Sequence, residues 1–144
     1  MPITDPSEQY FDKGAWRWNG AAWIPRQAIT NFSSLWAEDL GGTKSGNGHY
    51  IVASSTVPAG EVWVVQTMSL FNDTGARGMI RLLAHGPVPN MALQFKLVPA
   101  RYEPVIFTGY LPLSAGFYLR ALQFSCIDGD LLFGGVLGYK MKVF

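Results

Sequence analysis

From residue 50 onward the chain alternates between short apolar runs and turn-forming clusters. The runs fall at 50–53, 61–71, 79–84, 92–98, 105–110, 117–124 and 131–143. Between them lie Val57-Pro58-Ala59-Gly60, Asn72-Asp73-Thr74-Gly75, His85-Gly86-Pro87, Leu113-Ser114-Ala115-Gly116 and Asp128-Gly129-Asp130. Runs of strand length at regular spacing, with no 3.6-residue period, predict an all-β sandwich or barrel. Two of the turns echo one another. Val57-Pro58-Ala59-Gly60 and Leu113-Ser114-Ala115-Gly116 each place Ala-Gly before a long strand. Paired strands of this kind play equivalent parts in opposing sheets of a jelly roll, so the expected fold is a jelly-roll-like antiparallel β-sandwich.

Two runs carry apolar residues on both alternating faces: Val62-Trp63-Val64-Val65 with Met68-Ser69-Leu70-Phe71, and 117–124, where Arg120 and Gln123 are the polar interruptions. An antiparallel strand with one wet face should alternate. These strands are therefore expected to be covered on both sides, and Trp63, Val65, Phe71, Tyr118 and Phe124 become candidates for an interface between subunits.

The first 27 residues differ. Tyr10-Phe11-Asp12-Lys13-Gly14 leads into Trp16-Arg17-Trp18-Asn19-Gly20-Ala21-Ala22-Trp23, and Asn19-Gly20 between aromatics signals a β-hairpin with a type I′ turn. A hairpin this short is marginal alone. Residues 1–27 are expected to form an arm that packs on something else through Tyr10, Phe11, Trp16, Trp18 and Trp23. Trp16 and Trp18 would share one face, because side-chain direction repeats every two residues. Residues 28–49, with Gly41-Gly42-Thr43-Lys44-Ser45-Gly46-Asn47-Gly48, read as a linker before a sandwich over 50–144.

Composition sharpens the expectation of partners. Of 144 residues, 49% are hydrophobic and only 15% charged, against a usual ~25% charged. Low charge together with two-sided apolar strands predicts a homo-oligomer. Net charge is +1 with no basic stripe, which leaves nucleic-acid binding without an electrostatic footprint. No apolar run reaches the ~18 residues of a membrane helix, and the N-terminal residues carry no signal-peptide pattern. A cytoplasmic site of synthesis follows as an expectation, and the two sequons at Asn31 and Asn72 are read as chance. Cys126, the single cysteine, reads as a buried thiol.

Candidate chemistry is thin. His49 and His85 stand 36 residues apart with no ligand cluster around them, so no metal is expected. Asp128 and Asp130 could offer oxygens to calcium, but a turn in which they bond nearby backbone amides is the simpler reading. Glu61, Glu103, Asp73, Asp128 and Asp130 show no spacing that pairs two carboxylates. No nucleophile elbow, phosphate loop or dinucleotide fingerprint is present, so neither an enzyme nor a cofactor is expected. The tryptophans and tyrosines could instead stack on sugar rings, which makes a carbohydrate- or receptor-binding module the alternative function.

The segment from Tyr10 to Gly14, then Trp18-Asn19-Gly20 and Trp23, resembles the short aromatic openings of small tailed-bacteriophage virion proteins. The Val57–Gly60 and Leu113–Gly116 turns, Gly129-Asp130 and the closing Gly138-Tyr139-Lys140-Met141-Lys142-Val143 are similar to their common β-sandwich layout. The resemblance implies a non-enzymatic capsid decoration (cement) protein or a head or tail knob. It implies homotrimers and contact with a major capsid or tail protein, location in the virion after synthesis in the host cytoplasm, and, for a receptor-binding knob, a host glycan as ligand.

Overall fold

A computed structural model describes residues 16–18, 23–25, 32–87 and 90–142. The chain divides into two compact units, 1–33 and 34–144. In the first, β1 (Trp16–Trp18) pairs antiparallel with β2 (Trp23–Pro25), Trp18 opposite Trp23. The expected pairing of the two aromatic segments is present, and the turn expected at Asn19-Gly20 lies outside the described residues.

The remaining strands are β3 (Phe32–Asp39), β4 (Gly42–Thr43), β5 (Gly48–Ala53), β6 (Glu61–Asn72), β7 (Ile80–His85), β8 (Met91–Lys96), β9 (Val105–Leu113), β10 (Tyr118–Cys126) and β11 (Leu131–Lys142). They form two antiparallel sheets, one in the order β5-β10-β7-β8 and one in the order β3-β11-β6-β9, with β4 added beside β11. Folding the chain back on itself pairs β3 with β11, β5 with β10, β6 with β9 and β7 with β8, and successive pairs enter alternate sheets. That is the strand plan of a jelly roll.

The segment expected to be a linker is part of the sandwich. β3 and β4 join the β3 sheet, while Trp36 and Leu40 sit in the core beside Trp63, Met68 and Leu132. Phe32-Ser33-Ser34-Leu35-Trp36 runs apolar-polar-polar-apolar-apolar and shows no period of two, and the Gly-rich stretch masks β4.

The echoed turns meet. In each, the residue after glycine donates back to the first turn residue: Glu61 N to Pro58 O at 3.3 Å and Phe117 N to Ser114 O at 3.2 Å. Gly60 and Gly116 hold φ of +80° and +88°, the third position of a type II turn, which favours glycine. Val57 then bonds the second turn from both backbone groups, N to Phe117 O at 2.8 Å and O from Gly116 N at 2.9 Å. The turn ahead of β6 is thus laced to the turn ahead of β10, one in each sheet.

The two-sided apolar pattern of β6 has a local cause. Thr67 faces Leu137 and Val65 faces Gly138, so Gln66 is an extra residue with no partner on β11. The bulge moves the inward phase by one position: Trp63 and Val65 point inward before it, Met68 and Leu70 after it. Trp63 and Val65 are therefore core residues rather than interface residues. Val64 is buried on the opposite face, flanked in register by Tyr139 and Pro112.

Candidate functional site

Two places depart from the rule of apolar inside and polar outside. The first is a polar seam at one end of the sandwich. Asn72, at the end of β6, donates to Gln123 Oε1 on β10 at 2.9 Å and to Asp130 Oδ2 at 3.3 Å. Asp130, 1% exposed, also takes two bonds from Arg77, at 2.8 and 2.9 Å, and one from Ile127 N at 3.0 Å. Asn72 Oδ1 accepts from Thr74 N and Gly75 N, and Gln123 Nε2 donates to Gly78 O. Arg77 holds the Asp130 carboxyl below its ordinary range, and its own guanidinium is shifted up by the same bonds. With every group engaged, the seam locks the two sheets together and offers no free acid or base.

The other chemistry-bearing residues are likewise engaged separately. Asp128 accepts from Gly46 N at 2.6 Å, so Asp128 and Asp130 bond backbone amides as the turn reading expects. Glu61 accepts from the Trp63 indole, and Glu103 pairs with Lys96. Burial pushes the Glu38 carboxyl up, but bonds from Ser55 and the Trp36 indole outweigh it and hold it low. Cys126 is buried beside Gln123, and burial pushes its thiol up. Asn72 of the second sequon is buried in the seam. His49 packs its ring edge-on to Phe124, and His85 packs against Tyr118, with β10 lying between their strands. Among the described residues no three His, Cys, Asp or Glu side chains gather to hold a metal.

The second departure is the outer face of the β3 sheet. Its exposed large apolar side chains are Leu35, Ile106, Tyr110, Leu131, Phe133 and Leu137, with Leu35 at 78% and Leu137 at 55%. Phe133 stacks on Phe71 across the β11–β6 pair at 5.6 Å between ring centres. Tyr139 is hydrogen-bonded to Tyr110, which raises the Tyr139 hydroxyl to a pKa of about 12. Ser69, Thr67 and Thr108 add only hydroxyls. A shallow trough of about 390 Å³ crosses the face over Gly134 and Gly135, walled by Ala37, Thr67, Ser69 and Leu137. Asp39 is the single charged residue at the outward positions of these strands, and its Oδ1 already accepts from Gly41 N.

The outer face of the β5 sheet is different. Register places Arg81 opposite Leu122 and Phe95, and Arg120 opposite Leu83 and Ala53. His49, Ile51, His85, Tyr118 and Phe124 complete it, Ile51 and Phe95 being exposed, and Arg81 lies over the Phe124 ring.

The five interface candidates therefore do not form one surface. Trp63 and Val65 are in the core, Phe71 is on the β3-sheet face, and Tyr118 and Phe124 are on the β5-sheet face. The face missed its own best markers, Leu35, Ile106, Phe133 and Leu137. For Phe133 and Leu137 the signal was the run from Leu131 to Gly138, which contains no polar residue at either phase. Trp36 and Trp63, at 4.9 Å between ring centres, are buried and cannot stack on a sugar. The attachment role of Tyr10, Phe11 and the indoles of Trp16, Trp18 and Trp23 lies outside the described residues.

No protein-family model matches the chain, and no curated protein matches it. Solved structures are similar only in broad outline. The Drosophila NLP core, described for pentamer formation and histone binding, shares 17% identity at a TM-score of 0.34, over 76% of this chain and all of that one. A Bacillus endospore appendage that forms disulfide-linked pili shares 9% at 0.41, over 81% and 96%. A family 29 carbohydrate-binding module shares 12% at 0.36, over 74% and 91%. At these values the likenesses carry no argument about what this chain does.

Proposed function

We propose that the chain is a non-enzymatic structural protein of a bacteriophage particle, a trimeric capsid decoration or knob-type subunit that attaches through its N-terminal aromatic segment. The observation that carries the assembly reading is the nearly uncharged outer face of the β3 sheet, where large apolar side chains stand in solvent while the polar side chains of the seam are consumed inside. Exposed patches of this kind mark interaction surfaces. The particle context is supported by the sequence resemblance of residues 10–23 and of the turn pattern. The deciding measurement is cosedimentation with phage particles stripped of their accessory proteins. The full chain should bind and residues 28–144 alone should not. Equal binding by both would remove the arm from the function, and no binding by either would remove the particle.

A further inference from the structure

The proposed assembly needs a contact surface, and the two outer faces of the sandwich are unequal candidates. We infer that the outer face of the β3 sheet is where copies of this chain pack on one another, the β5-sheet face remaining turned away. This rests on the assembly reading and adds the surface to it.

Charge selects the occupant. Bringing two β5-sheet faces together would set Arg81 and Arg120 of one copy near those of the other, with no outward carboxylate on those strands to offset them. Like charges brought together at an interface disfavour the pairing. Bringing two β3-sheet faces together sets only Asp39 and Glu38, at the border of the trough, near their copies, and both carboxylates are already engaged, Asp39 by Gly41 N and Glu38 by Ser55 and the Trp36 indole. A negatively charged partner would find no complement on this face, and a positively charged one only carboxylates already engaged within the chain, whereas the same face on a second copy is as apolar as the first.

Area agrees. Four strands spaced about 4.8 Å apart, with β6 and β11 running 12 residues at about 3.3 Å each, cover on the order of 700 Å². A stable interface uses about 800 Å² per partner. Shape contributes as well. The trough over Gly134 and Gly135 is open to a side chain from a facing surface, and Leu35 on the same face stands 78% exposed. The hydroxyls of Ser69, Thr67, Thr108 and Tyr139 can bond across such an interface without bringing a charge into it.

The test is sedimentation velocity on the full chain over a range of concentration, with Leu137→Glu and Ile106→Lys set against the β5-sheet controls Ile51→Glu and Phe95→Glu, all four sites being exposed. The expected result is an oligomer that each β3-sheet variant weakens by about 10-fold or more in dissociation constant, while the controls leave it intact. Hydroxyl-radical footprinting of the unmodified chain supplies a second readout that needs no variant to fold. Phe133, Leu137 and Tyr110 should gain protection with concentration, and Phe95 should not. An oligomer lost only in the controls would overturn the face and leave the assembly reading standing. A monomer at all concentrations would overturn both. Concentration-independent protection of Phe133 and Leu137 would give the face another occupant and overturn the inference.

Discussion

The seam between Asn72, Gln123, Asp130 and Arg77 and the outer face of the β3 sheet break the same rule in opposite directions. One puts a charge inside, and the other puts large apolar side chains outside. Inside, each anomalous group has its partners within the chain: Asp130 receives bonds from Arg77, Asn72 and Ile127 N. A buried charge without such partners would not survive folding. Outside, Leu35, Ile106 and Leu137 have no equivalent cover from the described strands. The seam is complete within one chain, and the face is not. Damage to the first should therefore appear as lost folding, and damage to the second as lost association.

The largest expected effect is at the seam. Asp130→Ala removes the acceptor of Arg77 at the rim, of Ile127 N and of one N–H of the Asn72 amide, which keeps its bond to Gln123. Removing one partner of a buried pair costs about 3–5 kcal/mol. Urea unfolding followed by fluorescence should show a midpoint reduced accordingly. A loss below about 1 kcal/mol would mean that the seam does not hold the sheets together.

Gly138 tests the bulge that separates core from surface. A methyl there would run into the Val64 carbonyl across the β11–β6 pair. Gly138→Ala should destabilise by about 1–3 kcal/mol through forced displacement of the strands. An unchanged midpoint would show that the bulge is free to shift, and with it the division of β6 into an inward and an outward set.

Acid should damage the seam and leave the face alone. Arg77 holds the Asp130 carboxyl below its ordinary range, so the unfolded chain takes up that proton more readily than the folded chain. The stability contributed by Asp130 is complete above its unfolded pKa of about 4 and is lost as pH falls through the lowered folded value. The urea midpoint should be steady between about pH 5 and 7 and fall below that. Asp130→Asn should shrink the acid loss, leaving the part due to Glu38, which is also held low. An acid limb unchanged in Asp130→Asn would separate the seam from acid unfolding.

The contrast also explains what the sequence could disclose. All seven apolar runs from residue 50 onward became strands, because turn chemistry at residues such as Gly60 and Gly116 is local and strong. β3 and β4 were missed because their signal depends on neighbours far away in the chain. Trp63 and Val65 were assigned to an interface because a single bulge residue, Gln66, changes the phase of β6 and leaves no mark in the pattern. The seam was invisible for a related reason: Arg77 and Asp130 are 53 residues apart, and only the jelly-roll path brings them together. The face was half legible, since the unbroken apolar stretch 131–138 is plain, but which of its residues point outward follows from the register with β6.

The smallest effect should come from the face in a dilute chain. Leu35 is 78% exposed, so Leu35→Ser removes little burial and should change the stability of the monomer by no more than about 0.5 kcal/mol. Association adds a term that depends on concentration, because a partner that binds only the folded chain raises its apparent stability by mass action. The melting temperature of the unmodified chain should therefore rise with protein concentration, and that of Leu35→Ser should rise less, the two converging on dilution. Scanning calorimetry over a 100-fold dilution series checks this, starting near 100 μM, roughly 100-fold above a micromolar dissociation constant. A fixed gap between the two at every concentration would make Leu35 a contributor to the fold itself, and the line drawn between a complete interior and an incomplete exterior would have to move.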